Sequence, residues 1–202
     1  MLPTHLVVGL AVAVPVTFAY PEFGAAILVG ALIGSVLPDL DMYSGHRRSL
    51  HFPTVYPLAM VPAVLLGALA PSMMTVTIAF LLVGATIHSR MDLLGGSLEL
   101  RPWEATSDRG VYDHVQGQWR APKRWIRYDG SPEDLALCLV VGVPLAIILT
   151  GAIQWVVIAG LVIGTVYTIL RRRLAETAVL LVGFMPGGVQ QRVPPRYRQK
   201  QA

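Results

Sequence analysis

Apolar runs long enough to be membrane helices recur along this chain and leave little from which a water-soluble core could be built. They cover residues 3–20, 23–37, 52–70, 73–94, 135–150 and 152–170. A helical span needs roughly 20 apolar residues to cross a hydrocarbon layer of about 30 Å. The run at 23–37 falls short of that and predicts a helix that leans on its flanks. Only 14% of the 202 residues are charged, against about 25% in soluble domains. The expected fold class is therefore all-α, a polytopic membrane helix bundle of about six transmembrane helices. A polar cytoplasmic insertion is expected between helices 4 and 5. The single cysteine, Cys138, excludes an intrachain disulfide. The N-terminus lacks the basic segment of a secretory signal, which argues for a retained first helix.

Four regions follow from this pattern. Residues 1–95 form a four-helix membrane core, with Thr4 as a plausible cap and Pro15 as a possible kink of the first helix. Residues 96–134 are a surface insertion of short helices and turns, with Trp103, Trp119 and Trp125 as interfacial anchors. Residues 135–186 make a second hairpin ended by Arg171-Arg-Arg, with the apolar stretch 178–185 lying along the interface. Residues 187–202 are a basic, disordered tail.

Charge placement sets the expected orientation. All 16 Lys and Arg residues fall on one side of a six-crossing topology, and none lies in the turns at Tyr20-Pro-Glu, Ala70-Pro-Ser and Thr150-Gly. The positive-inside rule places the charged side, with both termini, in the cytoplasm of a multi-pass inner-membrane protein. The expected partners are membrane lipids, and no specific nucleic-acid binding is expected from a basic tail without an aromatic platform.

The same topology gathers residues that are scattered along the chain. His5 opens the first run, Asp39 and Asp41 close the second, His51 opens the third, and His88 and Asp92 close the fourth. Ionisable groups at the membrane edge are costly, so they are functional candidates by default. His88 and Asp92, at i and i+4, share one helix side. Mixed oxygen and nitrogen donors suit a transition metal. The candidate ligands are His5, Asp39, Asp41, His51, His88 and Asp92. An extended Asp-x-Asp points its carboxylates apart, so a turn is needed for both to reach one ion. Arg47 or Arg48 could hold a phosphate, and a neighbouring histidine such as His46 could shuttle a proton. Asp108, Tyr112, Asp113 and His114 could support the ligands from behind, with solvated surface as the favoured reading.

Thr4-His5, Leu37-Pro-Asp-Leu-Asp41, His46-Arg47 leading to His51, and His88-Ser-x-x-Asp92 together resemble the YdjM-like membrane-bound metal-dependent hydrolases. That family is also described as LexA-binding and inner-membrane-associated. The likeness covers about residues 1–105, and the Trp-rich insertion is similar to segments of haloarchaeal members. The family commonly has Thr-His-Ser where this chain has Leu50-His51-Phe52. The resemblance implies distant kinship with zinc-dependent phospholipase C and the P1-type nucleases, which cleave phosphate esters at His/Asp-bound zinc.

The expected function is hydrolysis of a phosphoester or lipid-like substrate at a divalent metal, Zn²⁺ first, with Mn²⁺ or Fe²⁺ as alternatives. Asp41, His46 and Arg47 are the expected catalytic residues. Two other classes explain the same residues. A noncatalytic scaffold would have its structural metal closed off by protein ligands. A metal or solute transporter would bind nearer the bilayer midplane.

Overall fold

The computed structural model describes residues 1–42 and 45–198. Six helices make up most of it: α1 Leu2–Ala19, α2 Gly24–Val36, α3 Val55–Leu69, α4 Met73–Leu94, α5 Pro132–Ile148 and α6 Gly151–Phe184. α2 is continued by a 3-10 turn over Leu37–Asp41. Four segments are long and apolar enough to cross a membrane: Leu2–Ala19, Pro21–Asp41, Met73–Leu94 and Gly151–Gly183. α3 and α5 are shorter, at 15 and 17 residues. The architecture is all-helical and suits a membrane protein. α3 buries none of its residues, and Leu58, Leu69, Val140, Ile147 and Phe184 are among many exposed apolar side chains. Patches of that extent mark a surface that meets lipid or protein.

The closest packing in the bundle is between α2 and α4, and it depends on missing side chains. A Cβ on Gly34 would overlap the Leu81 carbonyl, and one on Gly84 would sit 2.6 Å from the Ala31 oxygen. Gly30 approaches Thr77 in the same way. Small residues at four-residue spacing let helix backbones meet without a solvophobic drive between them. α1 lies across this pair, with Val7, Leu10, Ala13 and Val14 buried against Ala26, Ile27 and Ala31. α5 and α6 close the bundle, with Cys138 and Val157 in the same apolar core.

Several sequence expectations are corrected here. Thr4 is not the cap of α1. Met1 holds that position, and the Thr4 hydroxyl donates to Asp134 Oδ1 at 2.6 Å. Pro15 lies inside α1, which continues past it. Arg171-Arg-Arg does not end a helix, because α6 runs unbroken to Phe184. Arg, Leu, Ala and Glu are strong helix formers, and neither Gly nor Pro interrupts 165–182. The 178–185 stretch is therefore the last part of α6. The insertion contains a two-stranded antiparallel hairpin, β1 Val111–Asp113 and β2 Gln118–Arg120, beyond the expected turns. The tail carries single helical turns at Gly187–Gln190 and Pro195–Arg198, while residues 199–202 lie outside the described residues.

The glycine contact gives a direct test. Gly84→Val should force α4 away from α2, cost about 3 kcal/mol of stability, and lower the thermal midpoint of the detergent-solubilised protein by circular dichroism. Ala at the exposed Gly183, where nothing lies within 4 Å of an added Cβ, should leave the midpoint unchanged.

Candidate metal centre

Four elements deliver polar groups to one end of the bundle. The 3-10 turn after α2 carries Asp39 and Asp41, and supplies the turn that an Asp-x-Asp needs. The loop before α3 carries His46, Arg47 and His51. The last turns of α4 carry His88 and Asp92, and the first turn of α1 carries His5. His51 and His88 are fully buried, and Asp92 nearly so.

Asp39, His51, His88 and Asp92 can each point one donor atom into a common space, with those atoms within 4.8 Å of one another. His51 Nε2 lies 2.9 Å from Asp92 Oδ2 and 3.8 Å from Asp39 Oδ1. His88 Nε2 lies 3.4 Å from Asp39 Oδ1 and 3.6 Å from Asp92 Oδ2. Ligands on bonds of roughly 2.0–2.2 Å around a tetrahedral ion sit about 3.3–3.6 Å apart; the separations at 3.4 and 3.6 Å match that spacing, and those at 2.9 and 3.8 Å lie close to it.

The hydrogen bonds fix which atoms face inward. His88 Nδ1 is 2.6 Å from the Ser35 carbonyl oxygen, a last-turn carbonyl of α2. A carbonyl only accepts, so Nδ1 carries the proton and Nε2 presents its lone pair. His51 Nδ1 donates to Asp41 Oδ2 at 3.0 Å, which turns its Nε2 inward in the same way. His51 Nε2, His88 Nε2 and Asp92 Oδ2 are all buried without an aligned hydrogen-bond partner. Buried polar atoms are rarely left so, and three that converge fit a cation as the missing partner.

The remaining candidates surround these four. Asp41 accepts from His51 Nδ1, from His46 Nδ1 at 3.1 Å and from the backbone N–H groups of Leu50 and Arg47. With its oxygens so engaged, it orients His51 and lies behind the donor set; carboxylate–histidine pairs of this kind orient metal ligands. His5 stacks on His88 with ring centroids 4.1 Å apart, and its Nε2 is 3.5 Å from Asp92 Oδ1. It lies beside the four-donor set, not within it. Arg47 is buried, with Nη2 on Asp92 Oδ1 at 3.1 Å and Nη1 on the Gly96 carbonyl at 2.6 Å. His46, half-buried, also comes within 3.9 Å of Asp39 Oδ1.

The loop that carries Arg47 and His51 is pinned from the insertion. Arg47 adopts φ 60°, a left-handed conformation uncommon for a residue with a side chain. Its carbonyl accepts from Tyr112 N–H at 2.9 Å. His114 Nε2 donates to the Arg48 carbonyl, and the Arg48 guanidinium lies over the Tyr112 ring. Asp113 is fully buried and accepts from the Thr54 hydroxyl at 2.7 Å. Burial alone would raise the Asp113 carboxyl, but Thr54, the Val115 and Gln116 amides and Arg120 hold it below the usual carboxylate range. Tyr112, Asp113 and His114 thus support the site loop; Asp113 is buried and Tyr112 partly so, while His114 stays exposed at the surface. Asp108 does remain exposed.

The donor set opens onto a cavity of about 810 Å³, bordered at its polar end by His5, Asp39, His46, Arg47 and Asp92. Asp39 keeps 14% side-chain exposure, the most of the four donors. Comparison of the chain with protein-family models, with curated proteins and with solved structures finds no match.

Metal uptake has an expected pH signature. Burial pushes the His51 imidazole down, but Asp41 and Asp92 outweigh it and raise its pKa. The stability that this proton confers on the metal-free protein is complete below about pH 6.5 and is lost as pH rises through the raised value. A bound cation must displace the proton, so affinity should increase as pH rises above about 6.5. Titration with Zn²⁺ by calorimetry across that range checks the sign. His88→Ala should abolish stoichiometric binding, and Asp41→Asn should weaken it about 10–100-fold.

Proposed function

We propose that this chain is a membrane-bound, metal-dependent hydrolase that cleaves a phosphoester or lipid-like substrate, in keeping with its motif resemblance to the YdjM-like hydrolases. The reading includes six crossings, with the donor cluster, the insertion and both termini on the cytoplasmic side. The charge distribution supports that orientation, since all 16 Lys and Arg lie on the proposed inner side. The observation that carries the reading is the junction of the four-donor cluster with a cavity. Structural metal sites are closed by protein ligands, while catalytic ones keep an open position. Here Asp39 and Asp92 both border the open space, from which a water could join the four protein donors as a fifth ligand.

Asp39, His51, His88 and Asp92 would hold the ion, with Zn²⁺ favoured and Mn²⁺ or Fe²⁺ able to use the same donors. Such a cation supplies Lewis acidity and makes a bound water acidic near neutral pH, with a pKa lowered from about 15.7 to about 7. The chain's own groups do the rest. Asp41 keeps the His51 and His46 imidazoles in fixed tautomers through their Nδ1 atoms. His46, at the cavity edge, moves a proton as water oxygen bonds to phosphorus and the ester oxygen leaves protonated. Arg47 braces Asp92 and adds positive charge beside the phosphoryl oxygens. The position of the donors at one end of the bundle favours this over transport, in which sites lie near the midplane on interrupted helices.

The metal-loaded protein should hydrolyse at least one member of a phosphodiester panel, with activity lost on chelation and restored by Zn²⁺. His46→Ala should retain the metal yet lower kcat about 100-fold. Stoichiometric metal without turnover of any panel member would favour the scaffold.

A further inference from the structure

The cavity extends well beyond what a metal and a phosphate need. From its polar end it follows α6, where Val156, Gly160, Ile163, Tyr167 and Arg171 line it at three- and four-residue spacing. That spacing is one continuous helix face, and the fifteen steps of rise from Val156 to Arg171 cover about 22 Å. Leu2, Pro3 and Leu6 of α1 form the facing wall. The α6 wall is apolar from Val156 to Ile163, and again at Leu174, Ala175 and Ala178 beyond Tyr167 and Arg171. A volume near 810 Å³ lies within the roughly 300–1,000 Å³ of ligand sites.

Two details indicate what fills it. Gly160 is buried and borders the cavity without a side chain, and a Cβ there would reach ordinary contact with Pro3 Cβ at 3.9 Å, so a larger side chain would project between α1 and α6. Ile163, on the same wall, is 59% exposed, so the cavity opens sideways along a helix long and apolar enough to cross a membrane. A water-soluble phosphoester would leave this wall uncovered, whereas a hydrocarbon chain would cover it. Arg171, which also lines the cavity, is held by Asp129 and set beside the Trp103 and Tyr167 rings.

We infer that the groove between α1 and α6 is an acyl-chain site, which admits a phospholipid laterally from the bilayer and holds its phosphate at the Asp39–Asp92 end. This rests on the hydrolase reading for what happens to the phosphate, but the binding of the chain is separable from it. Gly160 and Ile163 are the residues that set how deep a chain can reach.

The test uses the full chain, purified in detergent and loaded with Zn²⁺, with palmitoyl lysophosphatidic acid as the probe and glycerol phosphate as the tail-free comparison. Binding is read by native mass spectrometry. The wild type should bind the palmitoyl lipid at least about tenfold more tightly than glycerol phosphate. Gly160→Phe should remove that advantage while metal content and turnover of a soluble phosphodiester stay unchanged. Ile163→Trp, at a more exposed position, should act in the same direction and guards against misfolding of the first variant. Equal binding of the lipid by wild type and both variants would overturn the groove assignment. Lipid binding that is sensitive to Gly160→Phe, with no turnover of any phosphoester, would uphold the groove and overturn the hydrolase reading instead.

Discussion

The close approach of α2 to α4 is the constraint from which the site follows. Gly30, Gly34 and Gly84 let two backbones meet where any side chain would intrude. That contact brings the Ser35 carbonyl within 2.6 Å of His88 Nδ1. One hydrogen bond then fixes the tautomer and direction of a buried imidazole, and the turn that follows α2 sets Asp39 opposite it. Packing and chemistry are thus joined at one point: without the glycines, the carbonyl does not reach the ring, and the donors do not face each other.

Charge is managed in layers around that point. Two carboxylates and two imidazoles converge, and a shell of Asp41, Arg47 and His5 orients them. Beyond that shell, the β1–β2 hairpin anchors the loop through Tyr112 and His114, and Asp113 ties the hairpin to Thr54 at the start of α3. The polar insertion is therefore a structural cover for the His/Asp end of the bundle. Burial on this scale is costly for ionisable groups unless they are paired, and here the buried Asp41, Arg47 and Asp113 each have a partner.

Much of this was legible in the residues. The apolar runs gave α1 to α5 and the start of α6 to within a few positions, and the placement of His5, Asp39, His51, His88 and Asp92 at alternate run ends brought them to one end of the bundle. The i, i+4 spacing of His88 and Asp92 put both on one face. What the sequence did not display were contacts set by backbone. The Ser35 carbonyl carries no side-chain signal, and the left-handed Arg47 depends on a hairpin sixty-odd residues later. The division of labour between Asp39 and Asp41 rests on a 3-10 turn. The continuity of α6 through three arginines was hidden because a charge run resembles a stop, although its helix propensity says otherwise. The glycines flanking α2 and α4 were a signal that could have revealed the close packing.

The central claim is that donors from three separate segments, the turn after α2, the loop before α3 and the end of α4, hold one ion. X-ray absorption at the zinc edge of the loaded protein tests it most directly. The account predicts a shell of nitrogen and oxygen ligands with two imidazoles, and loss of one imidazole in His51→Ala. A shell without imidazole, or one unchanged by that substitution, would contradict it.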